Sequence, residues 1–309
     1  MLTPEAIDAV VRGALAEDAP WGDITSELLI PAEAQATARL VAREAGVFSG
    51  GQVFVATMRA VDAAVLVGLA VADGARFAPG DTLATVSGSA RSVLRGERVA
   101  LNLVQRMSGI ATETTRYVAE VAGTRARIVD TRKTTPGLRA LERHAVLCGG
   151  GHNHRFSLSD AVLAKDNHLA VLASRGVGVT EALTGLRARL SHTTHLEVEV
   201  DDASQIEPVL AGGVDTIMLD NFAVDALRAG VLQVAGRALV EASGNVSLTT
   251  VRAIAETGVD VISVGALTHS VRALDLGLDI ALELPADPAH HPEPSAVASV
   301  GRESDRALP

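Results

Sequence analysis

His195-Leu-Glu-Val-Glu-Val-Asp-Asp-Ala-Ser-Gln-Ile-Glu-Pro-Val-Leu-Ala-Gly-Gly-Val-Asp-Thr-Ile-Met-Leu-Asp-Asn221 contains one complete structural unit. The segment 195–200 reads as a strand, 203–212 as a helix, and 216–219 as a second strand. The two strands start about 20 residues apart, too far for a hairpin and suited to a parallel pair with a crossover helix. The same rhythm surrounds this unit. Further candidate strands are 127–130, 161–164, 238–241 and 261–264, with helical patterns at about 173–190, 223–235 and 247–257. Each strand ends in polar chemistry: Asp-Thr-Arg-Lys, Lys-Asp-Asn-His, Glu-Val-Asp, Asp-Asn, Ser-Gly-Asn and Gly-Ala. A β/α barrel builds its active site at the carboxyl ends of its strands. A doubly wound open sheet gives the same alternation.

Upstream the texture differs. Residues 4–18 predict an amphipathic helix with Pro4 in its first turn, broken by Asp18-Ala-Pro-Trp-Gly-Asp23. From about 34 to 92 the pattern is strand-like, punctuated by Gly50-Gly51, Asp73-Gly74 and Pro79-Gly80. A long helical pattern follows over about 94–122, with an interruption expected near Ser108-Gly109. The stretch 73–94 superficially resembles a biotinyl or lipoyl carrier, but residues 1–132 contain no lysine to accept a prosthetic group. A small β-rich domain enclosing the substrate is the remaining expectation. Residues 286–309 lack periodicity and read as a disordered tail, with His290-His291 a solvated pair.

Composition excludes several classes. Of 309 residues 48% are hydrophobic but only 2% aromatic, so Ala, Val and Leu must fill the core. The longest apolar run, Ala63–Ala72, is far short of the roughly 20 residues needed to span a bilayer. The amino terminus lacks a basic start and apolar run, so no secretory signal is expected. A single cysteine, Cys148, rules out an intramolecular disulfide and fits a cytoplasmic setting. A net charge of −10 argues against a general nucleic-acid binder. Residues 130–168 nevertheless carry six Lys/Arg against four acids. The chain's only lysines, Lys133 and Lys165, both lie there, in a sequence whose other 25 basic residues are arginine. A lysine retained in so Arg-biased a chain suggests that a compact ammonium is needed.

Individual motifs sharpen this into a site. Asp130-Thr-Arg-Lys-Thr-Thr-Pro-Gly137 places Arg132 and Lys133 just after a strand, suited to gripping a carboxylate or phosphate. In Gly149-Gly-Gly-His-Asn-His-Arg155 the glycines are expected to let backbone approach an anion, with His154 and Arg155 as donors. A metal-binding His152/His154 pair is disfavoured by the adjacent arginine. Glu197, Glu199 and Asp201 alternate along one strand and, with Asp220, offer hard oxygens for Mg²⁺ and sugar hydroxyls. Ser243-Gly-Asn245 and Gly265-Ala266 follow the last two strands, where barrels hold phosphate.

Together with Asp18–Thr25, Glu97–Leu103, Ser108–Thr112, Lys165–His168, Leu219–Phe222 and Val264–Ser270, these motifs resemble those of the quinolinate phosphoribosyltransferases. The resemblance runs from about Glu17 to Ile280, with Ser157 and Ser159 standing where relatives often have glycine. It implies an α/β fold: an N-terminal α/β sandwich (1–110), an incomplete β/α barrel of the type II phosphoribosyltransferase kind (111–285) whose last helix returns to the first domain, then the tail. It implies transfer of phosphoribosyl from phosphoribosyl pyrophosphate to quinolinate with decarboxylation. The products are nicotinate mononucleotide, pyrophosphate and carbon dioxide, used in NAD biosynthesis.

The resemblance further implies a homodimer or higher oligomer with shared active sites, Arg106 being supplied across the interface. Arg132, Lys133, His154, Arg155 and Lys165 would bind the quinolinate carboxylates, with Thr131 beside them. Glu197 and Asp220 would hold Mg²⁺ and the ribose, and Ser243, Gly244, Asn245, Gly265 and Ala266 the phosphates. Lys133, Lys165, Glu197 and Asp220 are the expected catalytic set. Two rival readings are a phosphoribosyltransferase with another acceptor, such as nicotinate, and a barrel aldolase using Lys165 as a Schiff-base nucleophile.

Overall fold

The computed structural model describes residues 2–283. The expected tail at 286–309 lies outside them. Helix α1 (Pro4–Asp18) is capped by Thr3, whose hydroxyl accepts from Ala6 N–H. Asp23 caps the short α2 (Ile24–Leu29) in the same way, through Ser26 N–H. Then come β1 (Gln35–Ala42), β2 (Gly46–Val47), α3 (Gly51–Val61), β3 (Leu66–Leu69), β4 (Arg76–Phe77) and β5 (Thr82–Ser89).

Helix α3 corrects the strand-like reading of 34–92. Gly50-Gly51 is not a hairpin turn but a helix start: Gly50 has φ +107°, and the Asp73 carboxylate accepts from the N–H groups of both glycines. A cap delivered from 22 residues away leaves no local signature.

Helix α4 (Ala90–Glu120) runs unbroken through Ser108-Gly109, against the interruption expected there. Those small residues serve close packing instead. A Cβ on Gly109 would strike the Arg272 carbonyl, and Ser108 Oγ accepts from Ser49 N–H. The helix contributes Ala100 and Val104 to the core of the N-terminal sheet, and Leu103, Ile110 and Tyr117 to that of the barrel. Burying both faces of one helix fixes the two domains together.

The barrel contains β6 (Arg127–Val129), α5 (Arg139–Cys148), β7 (Val162–Ala164), α6 (Asp166–Ser174), α7 (Val179–Arg187), β8 (Leu196–Val200), α8 (Ile206–Ala211), β9 (Thr216–Asp220), α9 (Val224–Val234), β10 (Leu239–Ser243), α10 (Val251–Ala255), β11 (Val261–Ser263) and α11 (Ala266–His269). All six expected strands are present, in the order β6-β11-β10-β9-β8-β7. The ladders are parallel. Between β6 and β7 the barrel is incomplete. There the 149–155 segment lies along β6, Asp130 N–H donating to the His152 carbonyl.

The element that returns to the first domain is a strand, β12 (Leu276–Glu283), not a helix. It pairs antiparallel with β1 from Gln35↔Glu283 to Ala42↔Leu276 and completes a sheet ordered β12-β1-β5-β3. Along β1 the alternating Ala36, Ala38 and Leu40 are buried beneath Phe48, Phe54 and Met58. The sparse aromatic residues thus fill the space that the alanines leave.

Candidate active site at the carboxyl mouth of the barrel

Parallel strands place alternate side chains inside the barrel in layers. On β8 both Glu197 and Glu199 point inward, as their spacing predicts, but at different depths. Glu199 is opposite Met218 in the ladder and lines a cavity of about 470 Å³ at the carboxyl mouth. Thr131, Arg132, Lys133, His154, Arg155, Lys165, Asp220, Glu241, Ser243 and Ser263 line the same cavity. Glu197 lies one layer lower and faces a second cavity, of about 540 Å³, reached from the amino ends of the strands. The acid that stands beside Asp220 at the mouth is therefore Glu199, and Glu197 is placed away from the metal and ribose position expected for it. Glu199 is the next-to-last residue of β8, nearer than Glu197 to the carboxyl end where a barrel builds its site.

Asp130, at the end of β6, organises the cationic side. It is fully buried, ion-paired with Arg143 at 3.3 Å, and accepts from Asn153 Nδ2 at 2.7 Å and His154 N–H at 2.8 Å. Burial outweighs these partners and pushes its carboxyl up to about 6. Asn153 also donates to the Arg143 carbonyl, which explains Asn-His-Arg as a bracket holding His154 and Arg155. Arg155 donates to the Ala161 carbonyl from one terminal nitrogen. Burial and then the neighbouring Arg132 cation press its pKa down, the signature of like charges gathered for an anion.

Gly149 and Gly151 pack closely against α4. A Cβ on Gly149 would sit 2.5 Å from Thr114 Cβ, and one on Gly151 2.8 Å from Thr114 Cγ2. These glycines let the end of α5 lie against α4.

His154 Nδ1 accepts from Arg155 N–H, which turns Nε2 toward two acids, 3.1 Å from Glu197 Oε2 and 3.6 Å from Glu241 Oε1. The approach is an ionic contact off the line of a hydrogen bond. Burial, then the charge of Glu197, pushes Glu241 up to about 8, so at neutral pH it holds its proton. Among the described residues, the buried side-chain atoms without a hydrogen-bond partner are Arg132 Nε, His154 Nε2, Arg155 Nε, Glu197 Oε1 and Glu241 Oε1. Unpaired buried polar atoms are costly and rare in folded proteins, and here all five surround one barrel interior.

Lys165 is ion-paired with Glu199 across the mouth. An ammonium committed to an ion pair is a poor amine nucleophile, which weighs against Schiff-base chemistry. Lys133 is held by its backbone: its N–H donates to Thr131 Oγ1 and its carbonyl accepts from Thr268 Oγ1. Its side chain lies against Gly265, where a Cβ would come 3.1 Å from Lys133 Cδ. Asp220 accepts from Asn221 Nδ2 at 2.6 Å, and Asn245 donates to Asn221 Oδ1. Both asparagines have positive φ, and Gly244 at φ +90° leaves room for the Asn221 amide. This amide chain steadies Asp220, a role the sequence pattern does not show. Ser243 lines the mouth, Gly244 and Asn245 follow β10, and beyond β11 Gly265 precedes Ala266, the first residue of α11. Arg106 lies apart on α4. It binds Glu142, Thr135 Oγ1 and the Thr268 carbonyl of its own chain, behind the Lys133 loop.

Fold and site together define an anion-handling β/α-barrel enzyme whose mouth sets arginines and lysines against two carboxylates. The chain belongs to the quinolinate phosphoribosyltransferase family. Its C-terminal domain model, "Quinolinate phosphoribosyl transferase, C-terminal domain", matches residues 110–279, and the N-terminal domain model matches 23–108. The nicotinate-nucleotide pyrophosphorylase [carboxylating] of Mycobacterium leprae is 45% identical, covering 89% of this chain and 98% of that protein. The probable nicotinate-nucleotide pyrophosphorylase [carboxylating] of Bacillus subtilis is 40% identical, over 86% and 90% respectively. The crystal structure of NadC from Streptococcus pyogenes superposes with a TM-score of 0.86 at 40% identity, covering 92% of this chain and 98% of that one.

Proposed function

We propose that this chain transfers the phosphoribosyl group of phosphoribosyl pyrophosphate to the ring nitrogen of quinolinate, with loss of carbon dioxide, giving nicotinate mononucleotide and pyrophosphate. The observation that carries this reading is the pair of buried, unpartnered Arg132 and Arg155 Nε groups beside Lys133 and Lys165, facing Glu199 and Asp220 across one cavity. A dicarboxylate meets four cations there, and a cationic sugar carbon meets two carboxylates.

In this mechanism Arg132, Arg155 and the lysines hold the acceptor's carboxylates and aim its ring nitrogen at the anomeric carbon. As the bond to pyrophosphate breaks, positive charge builds on that carbon, and the Asp220 and Glu199 carboxylates stabilise it without forming a covalent bond. Ser243 and the loops after β10 and β11 offer donors to the phosphates. Mg²⁺ fits the hard oxygens of Asp220 and Glu199, and when bound it neutralises pyrophosphate charge. After transfer, the electron pair left on the ring carbon by decarboxylation takes up a proton. Lys165 and Lys133 are the acids at hand.

Exposed Trp21, Ile24, Leu28 and Leu29 gather around α2. Such a patch supports self-association, in which the partly exposed Arg106 head group serves the partner's site. Among the described residues no helix is long and apolar enough to cross a membrane. We place the enzyme in the cytoplasm, where its lone thiol stays reduced. The test is incubation of purified protein with Mg²⁺, phosphoribosyl pyrophosphate and either quinolinate or nicotinate, following nucleotide and carbon dioxide. Equal amounts of both products from quinolinate alone are expected. Turnover with nicotinate only, or with neither acceptor, overturns the assignment.

A further inference from the structure

Away from the barrel mouth, the junction between the two domains brings together the chain's only thiol, an imidazole and a carboxylate. His144 and Cys148 stand one turn apart on α5, so both face the same side of the helix. Opposite them is Asp73, in the turn before β4 of the N-terminal domain. His144 Nε2 lies 2.7 Å from Asp73 Oδ2 and 3.4 Å from Cys148 Sγ, and Cys148 Sγ is 3.9 Å from the same carboxylate oxygen. The side chains of His144 and Asp73 are about one-quarter exposed, so the cluster opens to solvent.

We propose that Asp73, His144 and Cys148 form a second metal site, selective for a borderline-soft divalent ion such as Zn²⁺ and distinct from the Mg²⁺ position at the mouth. Each residue offers one ligand atom, and the three lie within 4.8 Å of one another. Tetrahedral Zn²⁺ with ordinary bond lengths requires ligand separations of about 3.4 Å for N–O and about 3.6 Å for S–N and S–O. The two sulfur separations are already within about 0.3 Å of those values. Only the imidazole–carboxylate pair must open, by about 0.7 Å, as the ion replaces its hydrogen bond.

The surroundings prepare the ligands. Asp73 Oδ1 accepts from Gly50 and Gly51 N–H at 3.1 and 2.9 Å, and Oδ2, which faces the cluster, shares the Gly50 N–H at 3.2 Å. Ser49 Oγ donates to Cys148 Sγ at 3.3 Å and fixes the position of the sulfur. These are the outer contacts that orient metal ligands. The thiol also sits at the carboxyl end of a ten-residue helix, where a cation is favoured. Three protein ligands with water as the fourth complete a four-coordinate site, and thiolate with imidazole selects against Mg²⁺. An ion held there would tie the Asp73 turn to the helix that leads into the His154–Arg155 segment.

The test is anaerobic titration of the full-length protein with Co²⁺, reading thiolate-to-cobalt charge-transfer absorption, followed by displacement with Zn²⁺. A band saturating at one equivalent is expected, with Mg²⁺ in excess leaving it unchanged. Cys148→Ser should abolish the band. His144→Ala and Asp73→Asn should weaken Co²⁺ binding by about 100-fold or more, and Ser49→Ala, which removes only an outer contact, by about tenfold. Zn²⁺ should slow modification of Cys148 by a thiol reagent at least about tenfold, because a coordinated thiolate is withdrawn from reaction. Circular dichroism shows whether each variant is folded. Absence of the band in folded wild-type protein, its survival in Cys148→Ser, or its loss to excess Mg²⁺ overturns the proposal.

Discussion

Replacing Glu241 by Gln should flatten the dependence of stability on pH. Glu241 is almost fully buried, and burial followed by repulsion from Glu197 lifts its pKa from 4.5 to about 8. Between those two values the folded protein holds a proton that the unfolded chain has released. The native state therefore loses relative stability as pH rises through that window, by about 1.4 kcal/mol per unit, and the loss levels off above pH 8. The ceiling over the whole window is about 5 kcal/mol. Glutamine has the shape of the protonated acid and cannot ionise, so the variant lacks this slope. Asp130, whose pKa rises to about 6 through burial, adds a slope at lower pH that both proteins share. Urea unfolding followed by far-ultraviolet circular dichroism at pH 5, 6.5, 8 and 9 measures the difference. The variant should gain on the wild type steadily up to pH 8 and hold that gain at pH 9. Parallel stability curves would refute the claim that Glu241 is buried as the neutral acid.

Other outcomes are as definite. Lys165→Ala should lose about 100-fold or more in turnover while its unfolding midpoint barely moves, since its side chain is 43% exposed and its one ion pair is worth little to the fold. Wild-type rates in the folded variant would remove Lys165 from the site. Glu199→Gln should cost roughly ten- to a hundredfold in kcat/KM for phosphoribosyl pyrophosphate and shift the Mg²⁺ dependence of the rate. Glu197→Gln should leave that dependence in place, and the reverse pattern would return the metal to Glu197. Gly149→Ala should destabilise by about 1–3 kcal/mol, because its methyl group meets Thr114 on α4; an unchanged denaturation midpoint would contradict the packing role. Mixing Arg106→Ala with Lys165→Ala protein should restore part of the activity through hybrid oligomers. No recovery despite demonstrated subunit exchange would confine Arg106 to its own chain.

Features written in local periodicity were legible in the sequence. The six barrel strands announce themselves through spacing and through the polar residues that end them, and α1 runs over the residues its pattern indicates. Features that depend on distant partners were not. Gly50-Gly51 and Ser108-Gly109 look like chain breakers, and Gly149–Gly151 like an anion-binding loop. In the fold they start a helix capped by Asp73, press α4 against the Arg272 carbonyl, and seat α5 on Thr114. The resemblance implies a returning helix, and the local pattern does not announce strand β12, whose partner β1 lies at the other end of the described residues. The sequence pattern singles out Arg132, Lys133, His154, Arg155, Lys165 and Asp220, which the structure brings to one cavity. Glu197, the acid expected from the sequence, and Glu199 both face inward, and only depth along β8, which the local pattern does not display, separates them.

That difference in depth has a chemical consequence. On the proposed reading, a dianionic acceptor at the mouth would be attracted by Arg132, Lys133, Arg155 and Lys165 but would sit above a floor containing Glu197 and Glu241. With Glu241 protonated, the floor carries one acid's charge rather than two, and His154 Nε2 faces both acids. Ionisation of Glu241 would place a second negative charge beneath the substrate in a poorly hydrated interior, where repulsion is weakly screened. The same proton that lowers the cost of burying Glu241 therefore also favours the acceptor. By linkage, a bound dianion must raise the Glu241 pKa further. Acceptor affinity in the wild type should accordingly fall as pH rises through 8, in parallel with the loss of this proton. In Glu241→Gln that particular fall should be absent.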